Sequence, residues 1–87
     1  MNKNSNNVAK KYLSSGLAKY KNKDYKGAID DYDKAIELNS VFTEAYYRRG
    51  QAKNNILDFK GVIDDYSKAL DLDPTGSFAD VNEDIYY

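Results

Sequence analysis

Two stretches of this chain are nearly the same: KGAIDDYDKAIEL at residues 26–38 and KGVIDDYSKALDL at residues 60–72. They begin 34 residues apart, and the shared register runs well beyond them. Of the 32 aligned positions in residues 9–40 and 43–74, 14 are identical. The repeated letters are varied and keep a fixed order, which excludes low complexity. A fixed period of roughly 20–50 residues marks stacked units, each unable to bury its apolar face alone.

Within each copy the apolar spacing is helical. In the first, Val8, Tyr12, Leu13, Leu17 and Tyr20 recur at three- and four-residue steps. Asp24 then stands as an N-cap, and Ile29, Tyr32, Ala35 and Ile36 form a second stripe. The second copy answers with Tyr46, Gly50, Ala52, the cap Asp58, and the stripe Ile63, Tyr66, Ala69, Leu70. Ser40 is the candidate cap between the copies, and Pro74 ends the second one. Asp30–Lys34 and Asp64–Lys68 have the spacing of exposed helical ion pairs. Beyond Pro74, Ser77 with Asp80 resembles a capping box, and Phe78, Val81 and Ile85 make a short apolar stripe. Helices are therefore expected near residues 7–22, 25–38, 42–56, 59–72 and 77–85.

Composition agrees with an all-α chain and narrows its chemistry. Five Gly and one Pro are too few for a loop-rich β fold. With no Cys there is no disulfide or thiolate site, and with no His the commonest general base and metal ligand are missing. No apolar run has the length of a signal peptide or a membrane span, so the expectation is a cytoplasmic protein that does not engage membranes. Charge is uneven. Residues 1–27 carry seven Lys against Asp24, a net of +6; residues 28–87 carry six basic and thirteen acidic groups, a net of −7.

These residues resemble the tetratricopeptide repeat (TPR) family, whose unit is a 34-residue pair of antiparallel helices. Its aromatic in the first helix is matched by Tyr12 and Tyr46, and its small residue there by Gly16 and Gly50. In the second helix Ala28 and Val62, the bulky Tyr32 and Tyr66, and the small Ala35 and Ala69 follow the pattern, with Ser40 and Pro74 as helix stops. Ser15 and Arg49, and Lys19 and Lys53, depart from it, standing where Leu and Tyr are frequent. The resemblance implies a right-handed superhelix of two helix-turn-helix repeats plus a C-terminal capping helix. Its parts are a disordered tail at 1–6, repeats at 7–40 and 41–74, and the cap at 75–87.

Catalysis finds no support in the residues. Asp30/Asp31 and Asp64/Asp65 are helical neighbours that point about 100° apart, and read as solvated faces rather than acid–base pairs. No serine has a base to activate it, so no enzyme activity and no cofactor are expected. The segment DLDPTGSFADVNE imitates a calcium loop through Asp71, Asp73, Thr75 and Gly76. However, Asn82 stands where the bidentate Glu belongs, and no metal site is assigned. The lysine run around Tyr20 and Tyr25 reads as a solvated rim, because a sequence pI near 5.3 is wrong for a nucleic-acid partner.

The resemblance implies instead a concave groove, lined by the first helix of each unit, that receives a partner protein's peptide or helix. Facing it would be Leu13, Leu17, Lys21, Tyr47, Arg48, Gln51 and Asn55. Leu13 and Leu17 read as an apolar binding stripe, with simple packing of the first helix as the alternative. The family's carboxylate clamp is absent, since Leu13, Leu17, Tyr47 and Gln51 stand where its Lys and Asn would fall. The function read here is a non-catalytic adaptor or scaffold module. Its alternative is a self-assembling homo-oligomer, which the opposite charges of the two chain ends would favour.

Overall fold

In the computed structural model, residues 3–78 are described, and they form four α-helices without a strand. These are α1 (Lys3–Lys21), α2 (Tyr25–Leu38), α3 (Thr43–Asn55) and α4 (Phe59–Leu72). Helix α1 packs against α2 and α3 against α4, and α2 joins the two hairpins by packing on α3. Ser77 and Phe78 enter a 3₁₀ turn; the rest of the capping helix expected at 75–87 lies outside the described residues.

Each hairpin closes because a tyrosine of its second helix lies against a glycine of its first. A Cβ on Gly16 would stand 2.5 Å from Cε1 of Tyr32, and one on Gly50 would stand 2.5 Å from Cε1 of Tyr66. Larger residues cannot occupy those positions without moving the ring. Around Tyr32, which is fully buried, Ala9, Leu13, Ala28, Ala35, Ala45 and Ala52 complete a core drawn from α1, α2 and α3. Small residues at these positions let helix axes approach closely.

The turns inside the hairpins are built identically. Lys23 and Leu57 adopt φ of 65° and 66°. The N–H of Asp24 returns to the carbonyl of Lys19, and that of Asp58 to the carbonyl of Lys53, both at 2.9 Å. This is a left-handed helix stop made with non-glycine residues. Asp24 and Asp58 then cap the next helix as expected, accepting from the N–H of Gly27 at 3.0 Å and of Gly61 at 3.1 Å.

Three expectations need correction. Helix α1 begins at Lys3, so most of the supposed tail at 1–6 is helical. Ser5 and Asn6 are half-buried one turn before Ala9, and that contact with the fold gives the helix reason to continue. Ser40 is not a side-chain cap: α3 starts at Thr43, and Ser40 contributes its carbonyl, which accepts from the Tyr46 hydroxyl at 3.0 Å. The carboxylates show the largest difference. Asp31 and Asp65 are only 8% and 2% exposed, not solvated.

The residues that depart from the family pattern are the ones that hold these buried carboxylates. In the first hairpin Asp31 accepts from Ser15 Oγ at 2.6 Å and pairs with Lys19 Nζ at 3.1 Å. In the second, Arg49 grips Asp65 with two bonds, Nε at 2.9 Å and Nη2 at 2.7 Å, and Lys53 Nζ adds a contact at 3.1 Å. Arg49 Nη1 also reaches Asp33 of α2 at 2.8 Å, tying one hairpin to the other. Burial by itself would lower the Arg49 pKa, but the bonds to Asp65 and Asp33 outweigh it and raise the group above its ordinary value. The guanidinium stays charged.

Candidate functional site

The first helices of the two hairpins, α1 and α3, share a face that presents most of the residues expected in a groove. Tyr47, Arg48, Gln51 and Asn55 follow one another at one- to four-residue steps along α3. Side-chain contacts hold them in place. Arg48 bonds Glu44 through Nε at 3.3 Å and Gln51 through Nη1 at 3.4 Å, and its guanidinium carbon lies 6.0 Å from the Tyr47 ring centroid. Asn55 Nδ2 donates to the Gln51 carbonyl at 3.0 Å and to the Tyr20 hydroxyl at 2.9 Å. The last bond crosses from α3 to α1.

The α1 side differs from expectation in one residue. Leu13 is 7% exposed and belongs to the core, so it does not line an open surface. The packing alternative is the correct one for it. With Ala9, Ala45 and Ala52 so small, the space beside α3 needs a larger apolar side chain, and Leu13 is in that core cluster. Leu17 is half-buried and packed on the core, and Lys21 is exposed in the last turn of α1.

Tyr20 was not among the expected groove residues, though the α1 stripe of Leu13, Leu17 and Tyr20 is visible in the sequence. Its ring also packs edge-on against Tyr25 at 5.3 Å between centroids, so neither tyrosine is a free stacking platform. At the α4 end, the Tyr47 ring lies 5.4 Å from Tyr66 and 5.0 Å from Phe78. Beneath the face, the Tyr32 hydroxyl is buried with no hydrogen-bond partner among the described residues. Burial raises its pKa well above the ordinary value, while the nearby charge of Arg48 acts in the opposite sense.

The imitation calcium loop is a turn stabilised by its own hydroxyls. Asp73 accepts from Thr75 Oγ1 at 2.5 Å and from Ser77 Oγ at 2.6 Å, which holds its carboxyl below the ordinary pKa. Among the described residues no group of three or more His, Cys, Asp or Glu could hold a metal ion. Nor is any helix among them long and apolar enough to cross a membrane.

Two helical hairpins stacked in register, with a shared face on their first helices, define a helical-repeat protein. Residues 16–54, from the middle of α1 through α2 to the end of α3, match the family model described as TPR repeat. That match, over 39 of the 87 residues, supports the resemblance to the TPR family. No curated protein matches it. TPR repeats generally mediate protein–protein interaction, and the family is typically non-catalytic.

Proposed function

We propose that this chain is an adaptor or scaffold module that receives a peptide or helical segment of another protein on the α1/α3 face. The observation that carries the reading is the pre-ordered row Tyr47, Arg48, Gln51 and Asn55, joined to α1 through Tyr20. Aromatic and Arg side chains held in place this way anchor partners at low entropic cost. Leu17 adds an apolar contact, and Lys21 a charge at the rim. A groove built from two repeats is small, so affinity should be on the order of micromolar.

The test is a pull-down from the native host with wild type and with Tyr47→Ala/Arg48→Ala. The expected outcome is that specific partners are lost while circular dichroism shows unchanged helix content. If every partner survives in a folded variant, the groove is not the binding surface.

A further inference from the structure

The two ends of the molecule carry the two halves of a junction that already exists in its middle. On α2, Ile29 and Ile36 pack against a core that includes Ala45 and Ala52 of α3. Their counterparts one repeat later, Ile63 and Leu70 of α4, are 65% and 48% exposed, and Phe59, counterpart of Tyr25, is 57% exposed. At the other end, Val8, Lys11, Tyr12 and Ser15 line an open hollow of about 300 Å³ on α1, and Val8 is 40% exposed. One repeat later these positions are Phe42, Ala45, Tyr46 and Arg49, of which Phe42 and Ala45 pack in the core shared with the first hairpin and Arg49 bonds Asp33 of α2. We infer that a second copy of this chain seats its α1 face on the α4 face, head to tail, as α3 is seated on α2.

The charges at the junction favour this occupant. Inside the molecule, Arg49 meets Asp33 across the junction. Shifted by one repeat, those two positions are Ser15 on α1 and Ser67 on α4. An Arg or an Asp on one side only would bury an unpaired charge, which is strongly destabilising. Serine on both sides leaves none. The surrounding fields are also opposite. Helix α1 contains five Lys and no acid, whereas α4 with its caps Asp58 and Asp73, apart from the buried Asp65 that Arg49 and Lys53 neutralise, has two Lys against four Asp, a net of −2. Contact of α4 with α4 would oppose like charges. The chain's own residues 79–87 carry Asp80, Glu83 and Asp84 with no basic residue, so their charge has the same sign as that of α4. Of the two described end faces, that of α1 offers the complementary charge, and a heterologous contact of this kind extends from copy to copy.

Sedimentation equilibrium of the full chain, from dilute to near-millimolar concentration, tests the inference. The weight-average mass should rise from 9.9 kDa past twice that value. Val8→Glu blocks the α1 end and Ile63→Glu the α4 end, both at exposed positions, and each variant alone should remain at 9.9 kDa. Mixed, they keep one intact junction and should form a pair and stop there. Lys11→Glu replaces Val8→Glu should the latter lose helix content. A wild-type chain that stays monomeric throughout overturns the inference. Pairing of Val8→Glu with itself also overturns it, since that contact would be α4 on α4. Neither end lies in the α1/α3 groove, so the pull-down is read independently.

Discussion

Hairpins α1/α2 and α3/α4 bury the same aspartate and neutralise it by different means. Asp31 has a serine hydroxyl and a lysine; Asp65 has a forked arginine and a lysine, and the same arginine crosses to Asp33. Packing differs in the opposite sense. Tyr32 is fully buried because α3 adds to the core around it, whereas Tyr66 at the end of the array is half-buried. The first hairpin thus rests mainly on apolar contact, and the second adds charge-assisted bonds where it has fewer apolar neighbours. Arg49 is the only described side chain that bonds carboxylates on both α2 and α4, so it registers one hairpin against the other.

The packing half of this comparison predicts the largest effect. Tyr32→Ala should cost about 3–5 kcal/mol, the range for deleting a buried aromatic. Domain stability scaled at 0.05–0.15 kcal/mol per residue is roughly 4–13 kcal/mol, so this variant should be substantially unfolded. Tyr66→Ala should cost about half as much, because less area returns to water. Urea denaturation followed by circular dichroism measures both. Equal losses would mean that the terminal tyrosine is as well packed as the central one.

The charge half is next in size. Arg49→Ala leaves Asp65 with Lys53 alone and Asp33 with no cation, and should cost about 3 kcal/mol, the lower end for breaking a buried pair. Ser15→Ala removes one hydrogen bond to Asp31 and should cost about 1 kcal/mol. The double variant Arg49→Ala/Asp65→Ala should recover part of the loss, since no stranded carboxylate remains. No recovery would show that Arg49 acts through its methylene packing instead.

These effects also mark where sequence reasoning ends. The period, the helix spans 25–38 and 59–72, the aspartate caps and the small and bulky positions of each repeat are local or repeated features, and each is visible in the letters. The ionic clusters are not. An aspartate next to another aspartate on a helix looks solvated, until the facing positions 16 residues earlier are read with it. Ser15 with Lys19, and Arg49 with Lys53, look like departures from an apolar pattern, but they are the partners that permit Asp31 and Asp65 to be buried. Pairing the two irregularities was the available signal. Leu13 illustrates the converse. The family resemblance places it among the groove residues, but its depth depends on Ala9, Ala45 and Ala52 of the core. Single-helix periodicity carries no such information.

The smallest effect concerns the two turns, where the hairpins should behave alike. Lys23 and Leu57 both hold left-handed backbone, which costs an L-residue roughly 1–2 kcal/mol relative to glycine. Glycine loses more conformational entropy on folding, by about 0.5–1 kcal/mol, and that offsets part of the gain. Both side chains are exposed, so little packing is lost with either. Lys23→Gly and Leu57→Gly should each stabilise by about 0.5–1 kcal/mol, near 2–8 °C in Tm for a domain of this size. The positions lie in separate turns without a shared partner, so the double variant should show the sum. Should Leu57→Gly lose stability while Lys23→Gly gains it, the Leu57 side chain must be covered in solution. A covered Leu57 would place a neighbour beside the apolar face that begins at Phe59, and the asymmetry between the turns would report on that contact.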